Sequence, residues 1–207
     1  RVRDRRNKQG AGSRSAVAEA KPFGEPVQAP GAAPGVGGTA AAPSVAPPSA
    51  AALADFQHAT DLANAGRDTD AQLELEQFQL GYPGYPTPVI DLGLLARRAG
   101  KLDQAETALR HATQLDPANP LVWSELGVTL REEGKFKEAR AAYIQALAID
   151  PNYAPAHRNL GVLLDLYQGD AVAALAEFQR YKELTGEDKP VSVWLADLRR
   201  RTGTHGA

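Results

Sequence analysis

The side chains best suited to chemistry in this 207-residue chain are four histidines and a few neighbouring carboxylates; there is no cysteine. Without cysteine there is no thiolate metal site, catalytic thiol or disulfide. His58, His111, His157 and His205 lie far apart, and no two have the i, i+4 spacing that puts two imidazoles on one helix face to grip a metal. His157 holds, one repeat later, the place that Trp123 holds, so packing accounts for it better than ligation. Glu74 with Glu76 and Glu132 with Glu133 read as solvated helix faces rather than acid–base pairs. No serine sits in a G-x-S-x-G elbow. The run Gly35–Gly38 has no strand before it and no G-K-[ST] after it, so it is no phosphate cradle. The sequence carries no enzyme signature, and neither a metal nor a cofactor is expected.

What organises the chain is a period. Gly66, Gly100 and Gly134 recur at one constant step, as do Pro83, Pro117 and Pro151, and Leu92, Leu126 and Leu160, each leucine followed by a glycine. Ala71, Ala105 and Ala139 follow the same step, and Ala174 comes one residue late. A fixed step of about 34 residues marks a stacked solenoid, in which no unit buries its apolar face alone. In residues 120–153, Trp123, Leu126, Gly127 and Leu130 share one helical face; Gly134 breaks the helix; Ala139, Tyr143 and Ala146 share the face of a second; Asp150–Pro151 closes it. Small residues allow close approach of the two helices and large ones fill the space between hairpins.

The first 50 residues differ in kind. They hold seven basic residues (Arg1, Arg3, Arg5, Arg6, Lys8, Arg14, Lys21) against three acidic ones (Asp4, Glu19, Glu25). The remainder holds sixteen against twenty-two, from totals of 23 and 25. Neither balance argues for a nucleic-acid partner. Residues 21–50 are mainly Pro, Gly, Ala and Val, with too little large apolar surface to offset the cost of ordering. They read as an extended or disordered tether, or as a segment that orders along a partner. The Arg1–Lys8 cluster is a solvated terminal run or a contact for anionic headgroups. The chain has no methionine, which implies a processed product or a fragment; a signal peptide or anchor ahead of Arg1 would then be out of sight.

With these residues on the page, the chain resembles the tetratricopeptide repeat family, whose pattern is Trp-x2-Leu-Gly-x2-Tyr, then Ala-x3-Phe-x2-Ala, then Pro. Residues 120–153 supply Trp123, Leu126, Gly127, Leu130, Ala139, Tyr143, Ala146 and Pro151. Residues 86–119 supply Val89, Leu92, Gly93, Ala96, Ala105, Leu109, Ala112 and Pro117. Residues 154–189 supply His157, Leu160, Gly161, Leu164, Ala174, Phe178 and Tyr181, with one inserted residue near Gly169 and no closing proline. Residues 52–85 match weakly in their first helix and better in their second. The resemblance implies an all-α solenoid of about four helix-turn-helix hairpins. After it, Val191, Trp194, Leu195 and Leu198 form one stripe of a capping helix over 190–201, with Arg199, Arg200 and Arg201 at its C-terminal end. Those arginines are a solvated end or a docking patch.

In this family the first helices line a concave groove. By that alignment the groove presents Phe56, Thr60, Ile90, Leu94, Arg97, Ser124, Val128, Arg131, Arg158, Val162 and Asp165. Some relatives clamp C-terminal carboxylates with lysines and asparagines; the asparagine positions here are Leu94, Val128 and Val162, so that clamp is not expected. Arginines along an apolar floor suit a protein partner that is acidic or amphipathic; alternatively Leu94, Val128 and Val162 belong to the core. The expected function is a non-enzymatic adaptor in the assembly of a larger complex, on the periplasmic or envelope side, with the Ala/Pro-rich head as tether to a membrane anchor. The alternatives are a structural subunit whose head wraps a large assembly, and a cytoplasmic co-chaperone. Circular dichroism of the chain should show a helical spectrum; an appreciable sheet fraction would exclude the solenoid.

Overall fold

The computed structural model describes residues 47–203. The basic cluster, the glycine run and His205 lie outside the described residues, as does the head up to residue 46. The described residues form nine α-helices in order: α1 (Ala50–Asn64), α2 (Asp68–Gly81), α3 (Pro86–Arg98), α4 (Leu102–Leu115), α5 (Pro120–Glu132), α6 (Phe136–Ile149), α7 (Ala154–Leu163), α8 (Ala171–Thr185) and α9 (Val191–Thr202). Among the described residues there is no strand. The helices pair as α1/α2, α3/α4, α5/α6 and α7/α8, and α9 packs on α8. Each hairpin touches the next, and each first helix also touches the following first helix. Packing between neighbouring units is what a solenoid requires.

Local chemistry sets the helix ends. Ser49 caps α1 by accepting from Ala52 N at 3.1 Å, so the helix begins at Ala50, inside the stretch read as tether. Proline opens α3 and α5, where its missing donor costs nothing. Inside the third hairpin Gly134 takes φ +79°, and Lys135 N reaches back to Leu130 O at 2.8 Å while Gly134 N bonds Arg131 O at 3.1 Å. This pair of bonds is the Schellman stop. The long bond of the pair recurs at Lys101–Ala96 and Arg67–Leu62.

The fourth hairpin carries one extra residue, and the structure absorbs it in a π-helical turn over Leu164–Gln168. The closing bond lengthens by one position: Asp170 N bonds Leu164 O at 2.9 Å, where the other hairpins close one position sooner. Beyond it Gly169 takes φ +69°, and α8 resumes the phase, with Ala174 and Phe178 buried. A π-bulge is the usual way for a helix to hold an inserted residue.

Within hairpins a small residue faces a large one. A Cβ built on Gly127 would lie 2.5 Å from Tyr143 Cε1, one on Gly161 would lie 2.9 Å from Phe178 Cε1, and one on Gly93 would lie 2.8 Å from Leu109 Cγ. In the first hairpin Ala59 and Leu75 hold the corresponding places, and both are buried. The cap buries Val191, Leu195 and Leu198, while Trp194 is half-buried with its ring 5.2 Å from Phe178.

These contacts rank the glycines. Tyr143 is fully buried and its ring cannot bend away, so even alanine at Gly127 is overpacked, at about 1–3 kcal/mol before a gain of about 1 kcal/mol from helix propensity. Leu109 can rotate, so Gly93→Ala should be closer to neutral. Trp194→Ala should cost about 2 kcal/mol, below the full-burial range because the side chain is only partly buried. Urea midpoints of the three variants test the ranking; Gly127→Ala at or above the wild-type midpoint would show that the hairpin spacing is set elsewhere.

Candidate functional site: the inner row of first helices

The histidines have structural partners. Trp123 donates Nε1–H to Pro117 O at 3.0 Å. His157, one period later, places Nε2 3.0 Å from Pro151 O. A carbonyl can only accept, so Nε2 carries the proton and the imidazole repeats the indole's bond to the preceding turn. Its Nδ1 meets Glu177 at 2.7 Å. His58 Nδ1 pairs with Glu74 Oε2 at 2.8 Å. His111 lines a shallow hollow of about 450 Å³ on the outer side with Gln79, Val89, Leu92 and Asp103, a feature the repeat pattern does not announce. No group of three or more His, Cys, Asp or Glu among the described residues could hold a metal ion. The acidic pairs are not merely solvated: Glu132 reaches Arg97 at 3.5 Å, and Glu133 reaches Lys135 at 2.9 Å. Lys135 also bonds Glu106 at 2.6 Å, which joins the second hairpin to the third.

The residues expected to line the groove divide into three groups. Phe56, Ile90, Leu94, Ser124 and Val128 are buried, with Leu94 4% and Val128 7% exposed. Thr60 is buried too and donates to Phe56 O at 3.0 Å. The apolar floor is therefore core, because successive first helices pack on one another and enclose α5 from both sides. Val162 is half-buried against the same core. Asp165 is tied to the cap by an ion pair to Arg201 at 2.5 Å. The three arginines take different situations. Arg97 bonds Glu125 at 2.6 Å, a pair with little exposure on either side. Arg131 is 8% exposed, stands 5.7 Å over the Tyr167 ring, and has no partner for its Nε. Arg158 is half-buried on α7.

Arg97 and Glu125 are one rung of a row that runs from first helix to first helix. Burial pushes the Glu125 carboxyl up, and the Arg97 guanidinium beside it pulls the other way. Removing either partner would strand the other, at about 3–5 kcal/mol. Arg97 thus serves the fold, and reversing it to glutamate would unfold more than it tests.

The acidic residue on α3 in this row, Asp91, is not singled out by its sequence context. It is 3% exposed and its Oδ2 has no hydrogen-bond partner. Burial raises its carboxyl to about 8, so it is largely protonated near neutral pH.

Residues 129–165 match the family description "TPR repeat" and residues 90–119 match "Tetratricopeptide repeat". No curated protein matches the chain. Among solved structures, the fold is similar to that of pilF from Pseudomonas aeruginosa, with TM-score 0.68 and 21% identity over 74% of this chain and 69% of that one. It is also similar to MamA from Desulfovibrio magneticus RS-1, with TM-score 0.65 and 18% identity over 76% and 88%. A third likeness is to the first repeat domain of Spaghetti (RPAP3) bound to the HSP90 peptide SRMEEVD, with TM-score 0.54 and 19% identity over 57% and 94%. At these identities the likeness is one of fold.

Asp91 makes a stability prediction with a definite sign. The unfolded carboxyl ionises near 3.9 and the folded one near 8. Between those values the folded chain holds the extra proton, so stability falls as pH rises from about 4 to about 8 and then levels. Asp91→Asn removes that slope and should stabilise the protein at pH 7 by on the order of 3 kcal/mol. Urea melts at several pH values check it; wild-type and variant curves that stay parallel would place Asp91 in a wetter site. The matched repeats, the four stacked hairpins and the cap together make the chain a tetratricopeptide repeat protein.

Proposed function

We propose that this chain is a non-enzymatic protein-interaction scaffold whose inner row of first helices receives a partner segment carrying an acidic group, in the service of assembling a larger complex. The observation that carries the reading is Arg131. It sits on the row where Arg97 has Glu125, yet no carboxylate lies within ion-pair distance of it among the described residues; it rests instead over Tyr167. A guanidinium held in place and lacking its acid favours a carboxylate brought by a partner. Leu166 and Tyr167 of the π-turn are 69% and 44% exposed beside it, apolar surface suited to an amphipathic segment. The repeat domain of Spaghetti, bound to a peptide with adjacent glutamates, gives the same architecture an acidic peptide ligand and supports the reading by analogy.

An envelope-side location, with the Ala/Pro-rich head as tether, is part of this proposal and rests on the composition of residues 21–50. The rival reading is a subunit that binds through its head and uses the hairpins as a platform.

A fluorescent amphipathic peptide with two glutamates on an apolar background provides the test. It should bind the full chain with a salt-sensitive affinity, and Arg131→Gln should weaken binding roughly tenfold, the scale of one charge-assisted hydrogen bond, with the helical spectrum retained. Undiminished affinity in Arg131→Gln, together with its loss on removal of residues 1–46, would transfer the binding role to the head.

A further inference from the structure

We infer that the inner row reads charge of both signs, with Asp91 receiving a lysine or arginine side chain from the same partner segment whose acid meets Arg131. This rests on the scaffold reading above and gives its partner a second, opposite determinant.

The argument is one of register. The satisfied rung joins Arg97 to Glu125, 28 residues on. One period earlier the same two places hold Ala63 and Asp91; one period later they hold Arg131 and Asn159. The row therefore contains an acid without its base, a complete pair, and a base without its acid, in that order. Asn159 turns its amide to Ser124 Oγ at 3.4 Å and offers Arg131 no charge. The Ala63 side chain has no group to offer Asp91, and Oδ2 is left without a partner.

A buried carboxyl without a partner costs stability, and apolar replacement would be easy at such a place. An incoming ammonium or guanidinium would complete the rung as Arg97 completes the next. The raised carboxyl of Asp91 agrees with that, since it shows how little the fold itself offers the charged form. The occupant fitted by this charge order is a segment of another protein with one cation and one acid. Neighbouring first helices lie about 8–10 Å apart. The two open rungs lie on either side of the complete one, so they are two such steps apart. The two groups are then roughly 16–20 Å apart, a span of about five or six residues in an extended segment.

The experiment selects a random dodecapeptide phage library on the full chain, on Asp91→Asn and on Arg131→Gln. Each variant is checked for a helical spectrum, which Asp91→Asn should keep because it removes an unpaired acid. Wild type should enrich peptides with Lys or Arg and Asp or Glu about five or six residues apart, as that span requires. Asp91→Asn should lose the basic preference and keep the acidic one, and Arg131→Gln should do the converse. For one synthetic peptide from the selection, Asp91→Asn should weaken binding at least tenfold, and norleucine in place of the peptide's lysine should abolish the difference between the proteins. Acidic enrichment without a basic preference, or a basic preference that survives in Asp91→Asn, overturns this inference and leaves the scaffold reading standing. No enrichment on wild type overturns both. Peptides that reproduce the chain's own Arg1–Lys8 pattern would make the head the occupant and overturn the claim of a separate partner.

Discussion

The close approach of Gly127 to the Tyr143 ring is the contact on which the other distances depend. With a hydrogen in place of a side chain, α5 lies against α6 so tightly that a Cβ would sit 2.5 Å from the ring. Gly161 with Phe178 repeats the arrangement, and Gly93 with Leu109 repeats it with a more yielding neighbour. Because each hairpin is this narrow, the first helix of the next can pack on both of its helices, and successive first helices come near enough for their side chains to meet directly. The Arg97–Glu125 rung exists only because of that second-neighbour contact. Close packing within the hairpin thus sets the charge arrangement between hairpins.

A stacked array tolerates errors only where they do not shift the phase. The extra residue of the fourth unit lies between Leu164, which still faces the core, and Gly169, which still turns the chain. The π-turn takes up the surplus outside the packed layer, and its cost appears as exposed Leu166 and Tyr167 rather than as a displaced Phe178. That exposure brings an aromatic ring over Arg131 and next to Phe136, whose ring centroid is 4.8 Å from that of Tyr167. An insertion absorbed for packing reasons has thereby changed the surface beside the unmatched arginine.

The hairpins, their turns and the cap are legible in the sequence because each depends on residue type at short range. Gly134 can take φ +79° at little cost where other residues cannot, and Gly127 opposite Tyr143 is visible as small against large within one hairpin. The one-residue delay at Ala174 points to the insertion, though not to the π-turn that holds it. The groove is less legible. Leu94, Val128 and Ser124 have the spacing of an inner face, and whether that face is open or closed depends on how near the next first helix lies, which no single helix encodes. Asp91 escapes notice because an acid in a helix reads as solvated until its neighbours are known. The signal that could find the row is an interval of 28 residues, which separates Arg97 from Glu125 and also Arg110 from Glu138 on the outer side. That outer pair lies at 2.7 Å.

The same interval, one period less six, explains why the row is uneven. In a repeat array each position is copied, but a cross-unit pair needs different residues at two copied positions in adjacent units. A perfect consensus with arginine at one place and glutamate at the other would satisfy every rung and present no unmatched charge to a partner. Here Ala63 and Asn159 each break one rung, on opposite sides of the intact one. The fold keeps Arg97–Glu125 at the centre, where two first helices enclose it, and leaves the imbalance to the flanks. Stability alone would favour removing Asp91, since an unpartnered buried acid lowers it across the neutral range. Its presence next to a complete rung, with the opposite defect one step further along, is the arrangement expected if the missing charges are supplied from outside the chain.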